Sequence, residues 1–137
     1  MKKDFLHILK EADLKATLPR LAVLGVLADF HEPKNVQDIH TKLSKKGIDL
    51  VTVYRTLTSF EKAGLVRRVD LRKDAVFYEL ADEHHHHIVC TNCGDVEDFE
   101  LCDIESLTKK ITVKAKKFKT INQHSFELFG VCTACAC

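Results

Sequence analysis

No apolar run in this 137-residue chain approaches the ~20 residues that a bilayer-crossing helix needs. The opening stretch MKKDFLHILK is no export signal either, because Asp4, His7 and Lys10 interrupt its apolar core. The expectation is a cytoplasmic protein without a membrane partner. Glycine is scarce at five residues, and neither a phosphate-cradling glycine loop nor a nucleophile motif is present. That argues against an enzyme and against a small-molecule substrate. Net charge is almost absent too, with 21 Lys and Arg against 20 Asp and Glu, so the chain as a whole has no electrostatic reason to seek a polyanion.

The charge that exists is unevenly placed. Residues 1–80 carry 15 basic and 11 acidic side chains, a net of +4, whereas residues 81–137 carry 6 and 9, a net of −3. Any nucleic-acid contact is therefore expected in the first part. There, ATLPRLAVLGVLADF offers Thr17 as an N-cap and Pro19 in the first turn, followed by Leu21, Leu24, Val26 and Leu27 at helical spacing. A second helix is expected from about Val36 to Lys46, capped by Asn35 and ended by Gly47. A third, DLVTVYRTLTSFEKAG, starts at Asp49, stops at Gly64, and places Leu50, Val53, Leu57 and Phe60 on one stripe with Thr52, Arg55, Thr56, Ser59 and Lys62 opposite. Two alternating runs, LVRRVDL and AVFYEL, then read as a hairpin closed by the polar turn RKD. Three helices and a hairpin in this order describe a winged helix-turn-helix. A helical domain with a merely solvated polar face is the plainer alternative.

A short hinge is expected near residues 80–84, dividing a winged-helix domain, 1–80, from a small α+β domain, 81–137. The second domain should hold strands in HHHHIVC and VEDFEL, a helix over DIESLTKKITVKAKKF with Ile104, Leu107, Ile111, Ala115 and Phe118 inward, and a further strand pair in TINQHSFELFGVC. About 55 residues with few large side chains make a thin core that needs a staple. Cys90 and Cys93 in CTNC, with Cys132 and Cys135 in CTAC, supply one, since two tight-turn thiolate pairs complete a tetrahedral four-sulfur shell suited to a structural Zn(II). A redox dithiol normally occurs as a single pair opening a helix. Cys137 could substitute for a neighbouring ligand, while Cys102 is expected to be a small buried or half-buried residue and no ligand.

Four histidines, His84 to His87, precede the first cysteine pair. On an extended strand successive side chains point to opposite faces, so His85 and His87 share one face and His84 and His86 the other. One strand could thus serve two metal sites, with Glu79, Asp98, Glu105 and His124 as additional donors. Imidazole and carboxylate shells suit Fe(II), Mn(II) or Zn(II) without choosing among them. A solvated, pH-sensitive patch is the alternative for the run, and it is the reading kept for the isolated His7 and His40.

TLPR (Thr17 to Arg20), TVYRTL (Thr52 to Leu57), HHHHIVCTNCG and HSFELFGVC run in an order and spacing that resembles the ferric uptake regulator (Fur) family of bacterial metalloregulators, over nearly the whole chain. The resemblance implies a homodimeric, metal-dependent repressor, and Cys90, Cys93, Cys132 and Cys135 as structural zinc ligands. It further implies a regulatory site of His31, Glu79, His85, His87 and Asp98, and a second site of His84, His86, Glu105 and His124. Tyr54 and Arg55 resemble recognition-helix contacts, with Thr52 on the same helix; Lys15 resembles a minor-groove lysine and Arg20 a phosphate contact, and the wing residues Arg67, Arg68 and Arg72 would join Lys15 and Arg20 in salt-dependent phosphate contacts. An ion whose ligands come from both domains would fix their orientation and set two recognition helices on a palindromic operator. Iron is the expected signal. The lack of a cysteine near Glu79 weakens a zinc-uptake reading, and an aspartate at position 98 keeps a peroxide-sensing one open. A hydrolytic metalloenzyme and a metal buffer are the rivals from other classes.

Overall fold

A computed structural model describes residues 3–30, 32–81, 84–100 and 102–136. The chain divides into two compact units, Met1–Glu83 and His84–Cys137, against an expected break after residue 80.

The first unit opens with a helix that the sequence pattern did not suggest, α1 (Phe5–Glu11), capped where the Asp4 carboxylate accepts from the His7 amide at 3.2 Å. Leu9 is its buried anchor. Next comes α2 (Leu18–Asp29), with Pro19 in its first turn and Val23, Leu24 and Leu27 buried; Thr17 occupies the cap position but makes no side-chain capping bond. After the two-residue strand β1 (Lys34–Asn35), α3 (Val36–Leu43) starts where Asn35 accepts from the Asp38 amide at 2.8 Å. The segment expected to continue this helix tightens into a 3-10 turn, Ser44–Lys46, and Gly47 ends it at φ +72°, a conformation that favours glycine.

The longest helix, α4 (Leu50–Lys62), begins where the Asp49 carboxylate accepts from the Thr52 amide at 2.7 Å, a bond that holds the Asp49 carboxyl below its usual range. Val53, Leu57 and Phe60 are fully buried, as the stripe requires, but Leu50 is exposed and Thr56 is buried in its place. The Thr56 hydroxyl donates to the Thr52 carbonyl at 2.7 Å, which lets a polar side chain sit inside. Gly64, at φ +75°, turns the chain into β2 (Val66–Val69), which pairs antiparallel with β3 (Phe77–Leu80). β3 also pairs with β1, giving the order β1-β3-β2. Leu9, Val23, Leu24, Ile39, Leu43, Val53, Leu57, Phe60 and Tyr78 share one core beneath this sheet. The result is the expected helical domain with a wing.

In the second unit β4 (His86–Cys90) is central, antiparallel to β5 (Val96–Phe99) and parallel to β6 (Glu127–Gly130). The expected strand pair in 120–132 is a single strand. α5 (Ile104–Lys114) stops before Ala115, so Phe118 lies outside it and is exposed; none of the α5 residues is buried. Val89 and Cys90 are the only apolar side chains buried in this unit among the described residues. Among the described residues, no helix is long and apolar enough to cross a membrane.

The α4 stripe predicts its own test. Leu57→Ala should destabilise the first unit by about 2–5 kcal/mol through the cavity it leaves, read from the helical signal in denaturant titration.

Candidate metal centres and nucleic-acid interface

The second unit gathers its sulfurs by topology. β4 and β6 run side by side in the same direction, so the turns that follow them, carrying Cys90 and Cys93 and then Cys132 and Cys135, emerge at the same end of the sheet. The Thr91 amide donates to the Gly130 carbonyl at 2.7 Å and fastens the first turn to the strand leading into the second. One sulfur from each of the four cysteines lies within 4.8 Å of all the others. Cys93 Sγ and Cys132 Sγ are 3.7 Å apart, and all four thiols are free. That separation is far from a disulfide bond, and close to the ~3.8 Å edge of a tetrahedron with metal–sulfur bonds of about 2.3 Å.

The electrostatics of the cluster fit a dication. The Cys132 amide, 3.3 Å from Cys90 Sγ, stabilises its thiolate and brings that thiol down to about 6. Cys135, crowded by the side chain of Cys132, is pushed up to about 12. The four sulfurs resist ionising together unless a cation joins them.

The histidines sort as alternation demands. His85 and His87 pair with ring centroids 5.0 Å apart, and His84 and His86 likewise at 5.0 Å. Directly paired strand residues share a face. Asp98 stands opposite His87, with Oδ1 3.5 Å from His87 Nε2, so His85, His87 and Asp98 form one face. His86 stands opposite Phe99 and packs edge-on against Phe126, and His124 lies 5.0 Å from His84 and 5.2 Å from His86 by ring centroid.

The donor set on that second face is not the expected one. His84, His86 and His124 are joined by Cys102, every donor within 4.8 Å of the rest, and Cys102 Sγ is 3.9 Å from His124 Nε2. Glu105 is not part of this group. It sits in the first turn of α5 with its side chain 85% exposed and its carboxylate 3.3 Å from Lys109 Nζ. Cys102, expected from the sequence to be a small buried or half-buried residue and no ligand, is half-buried three residues after β5 and stands in this group. His31 and Cys137 lie outside the described residues. Glu79 lies on β3, where its carboxylate accepts from Arg67 Nε, its cross-strand partner, at 2.6 Å.

In the first unit, Tyr54 and Arg55 are exposed on α4, and Thr52 is half-buried beside them. An open groove of about 490 Å³ runs from α3 past α4 to the wing, lined by Val51, Tyr54, Arg68 and Val76 among others. Lys15 is exposed, and Arg20 Nη1 donates to the Lys15 carbonyl at 2.9 Å, so Arg20 braces the turn that presents Lys15. Two wing arginines expected at phosphates are engaged within the unit instead, Arg67 by Glu79 and Arg68 by Glu61 at 2.9 Å. Arg72 is exposed in the turn between β2 and β3, at φ +52°.

If the sulfur cluster holds Zn(II), binding must strip protons from any cysteine still a thiol, so affinity rises with pH. Above about 6 Cys90 is already ionised; below it Cys90 must also lose a proton, and the pH dependence should steepen there. Competition against a chromophoric chelator across pH 5–8 would read this, and Cys93→Ser should abolish the tight equivalent and unfold the second unit by circular dichroism.

A profile of the ferric uptake regulator family matches residues 11–129. The ferric uptake regulation protein of Legionella pneumophila is 40% identical over 131 residues, covering 93% of this chain and 95% of that protein. A Pseudomonas aeruginosa ferric uptake regulator solved with manganese aligns with a TM-score of 0.77 at 32% identity, covering 96% of this chain and 99% of that one. The Vibrio cholerae regulator, whose crystal structure is described as revealing a rearrangement of the DNA-binding domains, gives 0.73 at 37%, covering 94% and 100%. A profile match over most of the chain, relatives at this identity over nearly their whole length, and a winged-helix unit followed in sequence by a unit with cysteine and histidine clusters agree on one conclusion: the chain belongs to the ferric uptake regulator family, whose members are transcriptional regulators and not enzymes.

Proposed function

We propose that this protein is an iron-responsive repressor that binds a palindromic DNA operator as a homodimer when a divalent cation is present. The observation that carries the reading is the face shared by His87 of β4, His85 just before it and Asp98 of β5, a hard-to-borderline donor set in the same chain as a winged helix with exposed Tyr54 and Arg55. Relatives named for ferric uptake regulation support iron as the signal.

In this reading His85, His87 and Asp98 share their ion with Glu79 and His31 of the first unit. The cation supplies only charge and a fixed number of coordination positions, and Fe(II), Mn(II) or Zn(II) could each do so. The residues do the rest. Donors drawn from both units can be satisfied together in one relative orientation, so binding favours that orientation by its differential affinity. The domain rearrangement described for the Vibrio cholerae relative is consistent with two units that can reorient. Two copies of α4 held at a fixed distance would then read successive major grooves of a two-fold operator. Tyr54 and Arg55 would contact bases, with Thr52, Lys15, Arg20 and Arg72 fixing register on the backbone. Dimerisation is supported by the apolar surface the second unit leaves exposed, Ile88, Leu107, Ile111 and Leu128 among it, and by a helix α5 with no buried residue. The sulfur cluster holds Zn(II) throughout.

A peroxide-responsive variant of the same mechanism is favoured by one observation, the aspartate beside His87. Peroxide with Fe(II), but not with Mn(II), would then release the operator and add oxygen to the peptide containing His85.

Gel-shift titration with and without Fe(II), Mn(II) and Zn(II) tests the reading. Operator affinity should rise roughly 5- to 150-fold with the regulatory ion. His87→Ala should lose that increase while keeping the tight zinc equivalent. Tyr54→Ala should weaken metal-loaded binding by about 1–3 kcal/mol. Binding that ignores every metal would end the proposal.

A further inference from the structure

We infer that Cys102 is the fourth ligand of the second metal site, which makes it a three-imidazole, one-thiolate centre specific for a borderline-soft cation of the Zn(II) type and not a second site for Fe(II) or Mn(II). The inference deepens the proposed regulator: it assigns to one face of β4 a different metal class from the other.

Three independent features converge. His84, His86 and His124 stand in a triangle with ring centroids 5.0, 5.0 and 5.2 Å apart, brought together from β4, the residues leading into it and the segment before β6. Cys102, from the loop before α5, completes the group with its sulfur 3.9 Å from His124 Nε2. A tetrahedral zinc with Zn–N of about 2.0 Å and Zn–S of about 2.3 Å has N···S edges of about 3.5 Å, so this pair needs only a few tenths of an ångström to close on an ion. The only carboxylate that sequence assigned to the site, Glu105, projects from the first turn of α5 into solvent and toward Lys109.

The ligand chemistry follows. Replacing a carboxylate by a thiolate shifts the site toward soft character, and four donors of this kind suit tetrahedral Zn(II) or its spectroscopic surrogate Co(II). Fe(II) and Mn(II), which prefer more oxygen donors and higher coordination, fit the His85, His87 and Asp98 face better. The thiolate also lowers the net charge of the filled site by one, as Glu105 would have done, so the difference lies in softness and not in charge.

The test uses the full-length protein carrying Cys137→Ser, so that Cys102 is the one thiol outside the four-sulfur cluster. With that cluster filled by one tight equivalent of Zn(II), Co(II) is titrated and the near-ultraviolet sulfur-to-cobalt charge-transfer band followed. The band should appear together with an intense tetrahedral visible spectrum, vanish in Cys102→Ser, and persist in Glu105→Gln. Zn(II) should displace the Co(II), and Mn(II) should not. Zinc affinity at this site should fall at least as far in Cys102→Ser as the roughly 10–100-fold cost of losing an outer-shell partner. Circular dichroism and retention of the tight zinc equivalent establish that each variant is folded. Saturation with Co(II) that gives no sulfur-to-cobalt charge-transfer band, or a band lost in Glu105→Gln and kept in Cys102→Ser, overturns the assignment. None of these outcomes touches metal-dependent operator binding, which is measured separately by gel shift on the same preparations.

Discussion

Holding Cys90 and Cys93 against Cys132 and Cys135 is the constraint on which the second unit depends, because little else closes its sheet. β4 and β6 pair in parallel, and the two cysteine turns are 39 to 42 residues apart in sequence. Bringing such distant segments together costs loop entropy before any contact rewards it. In the first unit that cost is met by a continuous core around Phe60, Leu57, Ile39 and Leu24. The second unit buries only Val89 and Cys90 among its described apolar side chains, so in the proposed reading its closure would fall to ligation, and metal binding there would be coupled to folding. Every histidine face described above inherits its geometry from that closure, since β4 ends in Cys90.

The alternation of side chains along β4 then does something a helix could not. A helix places residues three and four apart on one face, so a run of four histidines would smear around it. On a strand the same run divides cleanly, His85 with His87 and His84 with His86, and each pair meets a different set of neighbours. Asp98 waits on one face because it is the register partner of His87 on β5. Phe99 and Phe126 flank the other face, and a sulfur from Cys102 reaches it. A carboxylate on one side and a thiol with apolar packing on the other would give the two proposed sites different softness from four identical side chains.

Much of this was legible in the sequence, and the gaps have physical causes. The capping residues Asn35 and Asp49, the glycines at 47 and 64, and Val53, Leu57 and Phe60 of the α4 stripe each announce a local conformation, and each stands where expected. α1 escaped notice because seven residues give barely two turns, too few for a 3.6-residue period to declare itself, and its stability comes from one buried leucine. Thr56 reads as surface by type but is buried, because a hydroxyl that bonds to its own helix carries no unmet polarity inside. The exposed apolar positions of α5 form a stripe that none of the described residues buries; periodicity marks an apolar face but cannot say what covers it. Glu105 and Cys102 differ for another reason. Spacing brings both near the histidines, but only the direction in which the loop enters α5 decides that the sulfur faces them and the carboxylate faces solvent.

One contact in the first unit bears on how a signal at Glu79 would reach DNA. Arg67 and Glu79 are register partners on β2 and β3, joined at 2.6 Å, and the carboxylate that serves in the proposed regulatory site is therefore already oriented by a wing residue. A ligand carboxylate held by a neighbouring donor is the usual second-sphere arrangement, in which the outer partner fixes the angle at which the oxygen meets the ion. Here the outer partner also belongs to a strand that leaves α4 through the Gly64 turn, where the Leu65 amide donates to the Phe60 carbonyl at 2.9 Å. Phe60 is fully buried in the core, so this turn cannot shift without disturbing the packing of α4. Displacement of the Glu79 carboxylate would thus be transmitted to β2 by Arg67 and to the recognition helix by a rigid connection. Arg67, read from sequence as a phosphate contact, acts in this account as the link between ligand and wing.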